Sequence, residues 1–192
     1  MKLHRLAFVF AALCMLLSLT GCFGRDNTVK LVYDRSGISA VPSATAPRVV
    51  VVMFEDRRGR IDIGVHKDGS PFNPASSVAE WASQGLADEL AKQGAQVSLA
   101  SSMQQARSGN PQYIVTGRVE HVWLTEKNIS SCSCVVRVQT SLHGAMGKDV
   151  TKTFSAQVDK AGIPGARLFE VTLSEALAEC LSQAASSVMN SI

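Results

Sequence analysis

Residues 49–54, Val-Val-Val-Val-Met-Phe, form an uninterrupted apolar run with four β-branched residues in succession. Valine is stiff at χ1 and suits a pleated backbone. A strand with no polar residue on either face must be covered on both faces. The run therefore predicts a central strand with packing layers above and below, and the rest of the chain has to supply those layers. With 192 residues there is enough chain for one domain with a sizeable core.

The flanking patterns supply them. Ile61, Ile63 and Val65 alternate with polar residues before an Asp68-Gly69 turn, which predicts a short strand. Ser77 and Glu80 have capping-box spacing, and Val78, Ala82, Leu86 and Leu90 recur every four residues. That predicts a helix ended by Gly94. A strand over 96–100 and a short polar helix over 102–107 follow. Residues 113–125 and 134–142 outline a long hairpin, 150–158 a further strand, and 168–189 a helix. The apolar stripe of that last helix is Leu173, Leu177, Cys180, Leu181, Ala184 and Val188. The expected fold is a single α+β domain over residues 47–192. A mostly antiparallel sheet carries two main helices on one face, in the order β-α-β-(α)-β-β-β-α.

The N-terminus has the form of a secretory signal. Lys2 and Arg5 precede an apolar run over 6–19, too short to be a permanent spanning helix, which needs about 20 residues. It ends in Leu19-Thr20-Gly21-Cys22, which resembles the lipobox of bacterial lipoproteins. The resemblance implies that residues 1–21 are removed as a signal peptide and that Cys22 carries the acyl chains that hold the protein to a membrane. Several chains on one residue hold a protein stably, where a single chain does so only reversibly. Phe23, rather than Asp, follows the cysteine, which points to the outer membrane, with the domain facing the periplasm. Residues 22–46 read as the lipidated cysteine and a flexible tether, carrying one short strand at 29–33. Fully extended, such a tether would reach ~80 Å. Cleavage leaves 17 Lys and Arg against 16 acidic residues, so the mature chain is nearly neutral and does not suit nucleic acid.

Three cysteines remain in the domain. Cys132 and Cys134 share one strand face with Val136 and Val138, and Cys180 lies on the core stripe of the last helix. In an oxidising periplasm this favours a strand-to-helix disulfide from Cys180 to Cys132 or Cys134, with one thiol left over. No Cys-x-x-Cys spacing is present, so no metal site is expected.

The stretch 55–68 gathers Glu55, Asp56, Asp62, His66 and Asp68 with Arg57, Arg58 and Arg60 interleaved. Carboxylates and a histidine could hold a hard cation or do acid–base work. Alternating signs of charge fit a solvated, salt-bridged loop better. Glu55, Asp56, Arg57, Arg58 and Arg60 are candidate contacts for a partner. His121 and His143 read as ordinary strand residues, and Trp81 and Trp123 as core packing. With no phosphate loop, dinucleotide fingerprint or nucleophile elbow, no catalytic residue and no cofactor are expected.

Taken in order, the lipobox, the 49–54 run leading into Glu55-Asp56-Arg57-Arg58, the helix ending Leu86-Ala87-Asp88-Glu89-Leu90-Ala91-Lys92-Gln93-Gly94, and Tyr113-Ile114-Val115-Thr116-Gly117-Arg118-Val119 before a hairpin and a terminal helix resemble the YajG-type lipoproteins of Gram-negative bacteria. More loosely they resemble the LpoB activators of penicillin-binding proteins. That resemblance implies an outer-membrane lipoprotein and carries over no catalytic residues. The leading expectation is a non-enzymatic binding or accessory module for a periplasmic or envelope protein. The alternatives are a carrier or accessory subunit for a lipid or small apolar ligand in envelope transport, and an enzyme or metal protein using the 55–68 loop.

Overall fold

A computed structural model describes residues 27–33, 43, 45–144, 149–163 and 165–192. The strands are β1 (Thr28–Val29), β2 (Arg48–Val52), β3 (Glu55–Asp56), β4 (Gly64–Val65), β5 (Pro71–Pro74), β6 (Gln96–Ala100), β7 (Tyr113–Asn128), β8 (Ser131–Gly144) and β9 (Asp149–Ala161). The helices are α1 (Val78–Lys92), α2 (Met103–Ser108) and α3 (Ala166–Met189). The single α+β domain is as expected. Its sheet is mixed, antiparallel among the three long strands and largely parallel among the short ones.

Strand β7 is the spine. Along one edge it pairs in parallel with β2 at residues 113–115, β3 at 118–119 and β4 at 124–125. Along the other it pairs antiparallel with β8, which in turn pairs with β9. Parallel β6 borders β2, while β5 borders β4 and β1 borders β5. The 49–54 run behaves as its composition requires. Val49 and Val51 enter the main core with residues of α1 and α3, and Val50 and Val52 pack beneath α2 with Ala100, Ala106 and Ile114.

Helix α1 begins and ends where local chemistry says it should. Ser77 accepts a hydrogen bond from the Glu80 amide at 3.2 Å. At the other end Gly94 has φ +92°, and the amides of Gly94 and Ala95 donate to the carbonyls of Ala91 and Leu90. This is a Schellman closure, which a residue with a Cβ would strain. Helix α1 packs against α3 at Gly85, where an added Cβ would come within 2.7 Å of Leu181.

The N-terminal segment departs from the expected tether. Val29 is in the main core, the Trp81 indole N–H donates to the Val32 carbonyl at 3.0 Å, and the Tyr33 hydroxyl donates to Glu89 at 2.7 Å. Residues 27–33 are therefore part of the folded unit, far upstream of the boundary expected at residue 47. The partners, Trp81 and Glu89, lie 49 and 56 positions away in the chain, so no local pattern announces the docking.

Candidate functional site

The 55–62 loop is closed by its own charges. Arg58 binds Asp56 in bidentate fashion at 2.9 and 2.7 Å and also donates to the Asp62 carbonyl. Arg60 binds Asp62 in the same way at 2.8 and 2.9 Å, and Arg57 pairs with Glu55 at 2.7 Å. The Arg58 guanidinium holds the Asp56 carboxyl below its ordinary range. Arg60 lies 4.0 Å above the ring of Trp123, so Trp123 is half-buried on the outer face of the sheet and not core packing. His121 lies at the surface near this group, and partial loss of solvent contact followed by the Arg137 charge lowers its pKa. Among the described residues, no cluster of three or more His, Cys, Asp or Glu side chains could hold a metal ion.

The structure separates His66 from those carboxylates and gives it a partner that sequence spacing does not suggest. His66 follows β4, and Glu126 lies near the end of β7. The parallel pairing of Gly64 and Val65 with Leu124 and Thr125 sets the two side by side. His66 Nδ1 is 2.8 Å from Glu126 Oε2, which also accepts the Lys67 amide at 3.2 Å. Both side chains are buried. The imidazole packs on Phe72 at a tilt of 41° with ring centroids 3.6 Å apart, and Phe169 meets it edge-on at 5.7 Å. This contact engages Nδ1 and leaves Nε2 as the second polar atom of the ring. That Nε2 is buried and has no hydrogen-bond partner.

These residues form the inner wall of a cleft of about 580 Å³. Its remaining walls are Phe72, Phe169, Val29 and Ile129, with Thr28, Lys67, Asp68 and the start of α3 at Gly165 and Ala166. Helix α3 has no side-chain cap and no acidic residue in its first turn. The N-terminal end of α3, where the positive end of the helix dipole falls, borders the cleft at Gly165 and Ala166. The combination is amphiphilic, with aromatic walls, a buried polar pair and the N-terminal end of a helix. Placed in the 55–68 loop by sequence alone, His66 acquires this role only through pairing across 60 residues.

The three domain cysteines are buried and free, and the expected disulfide is absent. All three face the core as strand and helix periodicity require, but their level along the helix rules out a bridge. The Cys132 sulfur is 3.1 Å from the Thr172 hydroxyl. Cys180 lies eight residues further along α3, ~12 Å at 1.5 Å per residue, where it meets the backbone of Val138 and Ala156. Burial pushes the Cys134 thiol up to about 12 and the Cys180 thiol up to about 11, and raises Cys132 as well. None is a ready nucleophile. Cys22, the expected lipidation site, and the signal lie outside the described residues.

No protein-family model matches the chain, and a search of curated proteins finds no match. Among solved structures it is similar to a DUF330-family protein from Xanthomonas campestris, with a TM-score of 0.53 and 9% identity over 85% of this chain and 98% of that one. It is similar to a PelC dodecamer chain from Paraburkholderia phytofirmans, with a TM-score of 0.49 and 20% identity over 75% and 93% of the two chains. A lipoprotein from Neisseria meningitidis, GNA1162, matches with a TM-score of 0.37 and 13% identity over 76% and 96%. The first likeness establishes a shared fold.

Proposed function

We propose that the chain is a lipid-anchored, non-enzymatic module of the bacterial envelope that receives an amphiphilic ligand, a lipid or small apolar molecule, in the cleft beside His66. The cleft carries this reading. It offers aromatic walls to an apolar body and, at Gly165 and Ala166, the N-terminal end of α3 to a polar one. The rest of the chemistry supports binding over catalysis, because the loop charges are consumed by one another and the thiols are buried. The lipobox supplies the anchor, Phe23 supports the outer membrane, and the YajG-type resemblance supports a Gram-negative envelope. Among the described residues no helix is long and apolar enough to cross a membrane. Native mass spectrometry of the full chain purified from its own membranes tests the reading. A bound lipid or apolar molecule is expected in the wild type and not in Phe169→Asp. Equal loading of the two would refute it.

A second reading, an accessory module that binds an envelope protein, is favoured by the sheet edge. Strand β6 pairs only with β2 among the described strands, and Leu99 and the neighbouring Met53 are exposed there. An extended partner segment could add to such an edge. A photo-crosslinker at Leu99 that captures one defined envelope protein in cells, with capture lost on Leu99→Lys, would move the assignment to this reading.

A further inference from the structure

The docking of residues 27–33 fixes which end of the domain an anchor at Cys22 can reach. From Cys22 to Asn27 there are five Cα steps, at most ~18 Å at ~3.6 Å each. Strand β7 alone runs ~50 Å from Tyr113 to Asn128 at ~3.3 Å per residue. The tether is therefore much shorter than the domain is long, and only one end can stay near the lipid.

That end is the mouth of the cleft. Thr28 and Val29, the first strand after the anchor, line it together with Ile129 from the β7–β8 turn and the start of α3. The Gly162 amide donates to the Ser130 carbonyl at 2.9 Å, so the β7–β8 turn and the β9–α3 connection are held together. Each presents an isoleucine to solvent, Ile129 at 71% and Ile163 at 90% exposure. Two large aliphatic side chains on loop tips joined by this bond suit the headgroup–acyl boundary of a bilayer.

We infer that this end of the domain is a membrane-seating surface, with Ile129 and Ile163 inserted at the headgroup–acyl boundary and the cleft opening onto the bilayer. The inference rests on the proposed anchor at Cys22. It adds the orientation of the domain and the source of the ligand, which would enter the cleft directly from the membrane.

The test uses the full, lipidated chain in vesicles of phosphatidylethanolamine and phosphatidylglycerol. An environment-sensitive fluorophore is placed on Ile163→Cys, or on Ser108→Cys at the far end of the sheet. Both positions are exposed, so neither substitution disturbs packing. On reconstitution the label at 163 is expected to brighten several-fold and to be quenched by lipid-borne spin labels, with the label at 108 unchanged. Protein that floats with the vesicles while both labels report water would overturn the seating surface and leave the anchor standing. Protein that fails to float would overturn the anchor and the seating surface with it.

Discussion

His66 Nδ1 lies 2.8 Å from Glu126 Oε2 across the inner wall of the cleft, joining two buried side chains 60 positions apart. Removing one member strands the other. Glu126→Leu is expected to lower unfolding free energy by ~1–3 kcal/mol, the usual cost of leaving a buried hydrogen-bonding group without its partner. The His66→Phe, Glu126→Leu double variant should lose much less than the sum of the single changes, because neither polar group is then left buried alone. Urea titration of the four proteins measures the coupling, and simple additivity would show that the pair does not act as a unit.

The bidentate contact between Arg58 and Asp56 makes a pH-dependent contribution. Its hydrogen bonds lower the Asp56 pKa in the folded state. The stabilisation is therefore complete above the unfolded-state value and is lost as pH falls through the lowered folded-state value. Because Asp56 is 36% exposed, solvent screening should hold the effect to below about 1 kcal/mol. In Arg58→Gln the Asp56 carboxyl, followed by NMR, should titrate higher than in the wild type, and the stability gap between the two proteins should narrow on acidification from pH 6 to pH 2.

The thiols give a chemical test of the core. In Cys22→Ser protein, a thiol reagent at pH 8 should label none of Cys132, Cys134 and Cys180 while the domain is folded, and all three after denaturation. Fewer than three reactive thiols in denaturant would reveal a disulfide and contradict the separation of Cys180 from the cysteine pair.

Much of the scaffold was legible because its signals are local. Ser77, Gly94 and the four-residue spacing from Val78 to Leu90 define α1 within one segment, and the valine run announces its own two-sided cover. Burial of the three cysteines was legible from strand and helix periodicity for the same reason. What stayed hidden depends on how distant elements align. Strand β5 is bounded by Pro71 and Pro74, which give no strand signal. The level of Cys180 against β8 is set by helix register, the docking of Tyr33 by Glu89, and the cleft by the pairing of β4 with β7. Nothing within about ten residues of His66 points to Glu126.

Gly64 shows how close that last pairing is. A Cβ there would lie 1.9 Å from the Leu124 carbonyl oxygen, which is backbone and cannot swing aside. Gly64→Ala is expected to cost at least ~2 kcal/mol and to loosen β4 from β7. At Gly85 the neighbours are the side chains of Leu181 and Tyr33, which can shift, so Gly85→Ala should cost less. Paired thermal melts decide this, and equal losses would contradict the difference in origin.

The anchor at Cys22 underlies both the envelope assignment and the orientation of the cleft. Mass spectrometry of the N-terminal peptide from membrane-purified protein tests it most directly. A lipid-anchored module predicts a chain beginning at Cys22 and carrying diacylglycerol on its sulfur, with Cys22→Ser recovered unmodified and out of the membrane fraction. An unmodified Cys22 in the mature wild type, or a Cys22→Ser protein that still sediments with membranes, would contradict it.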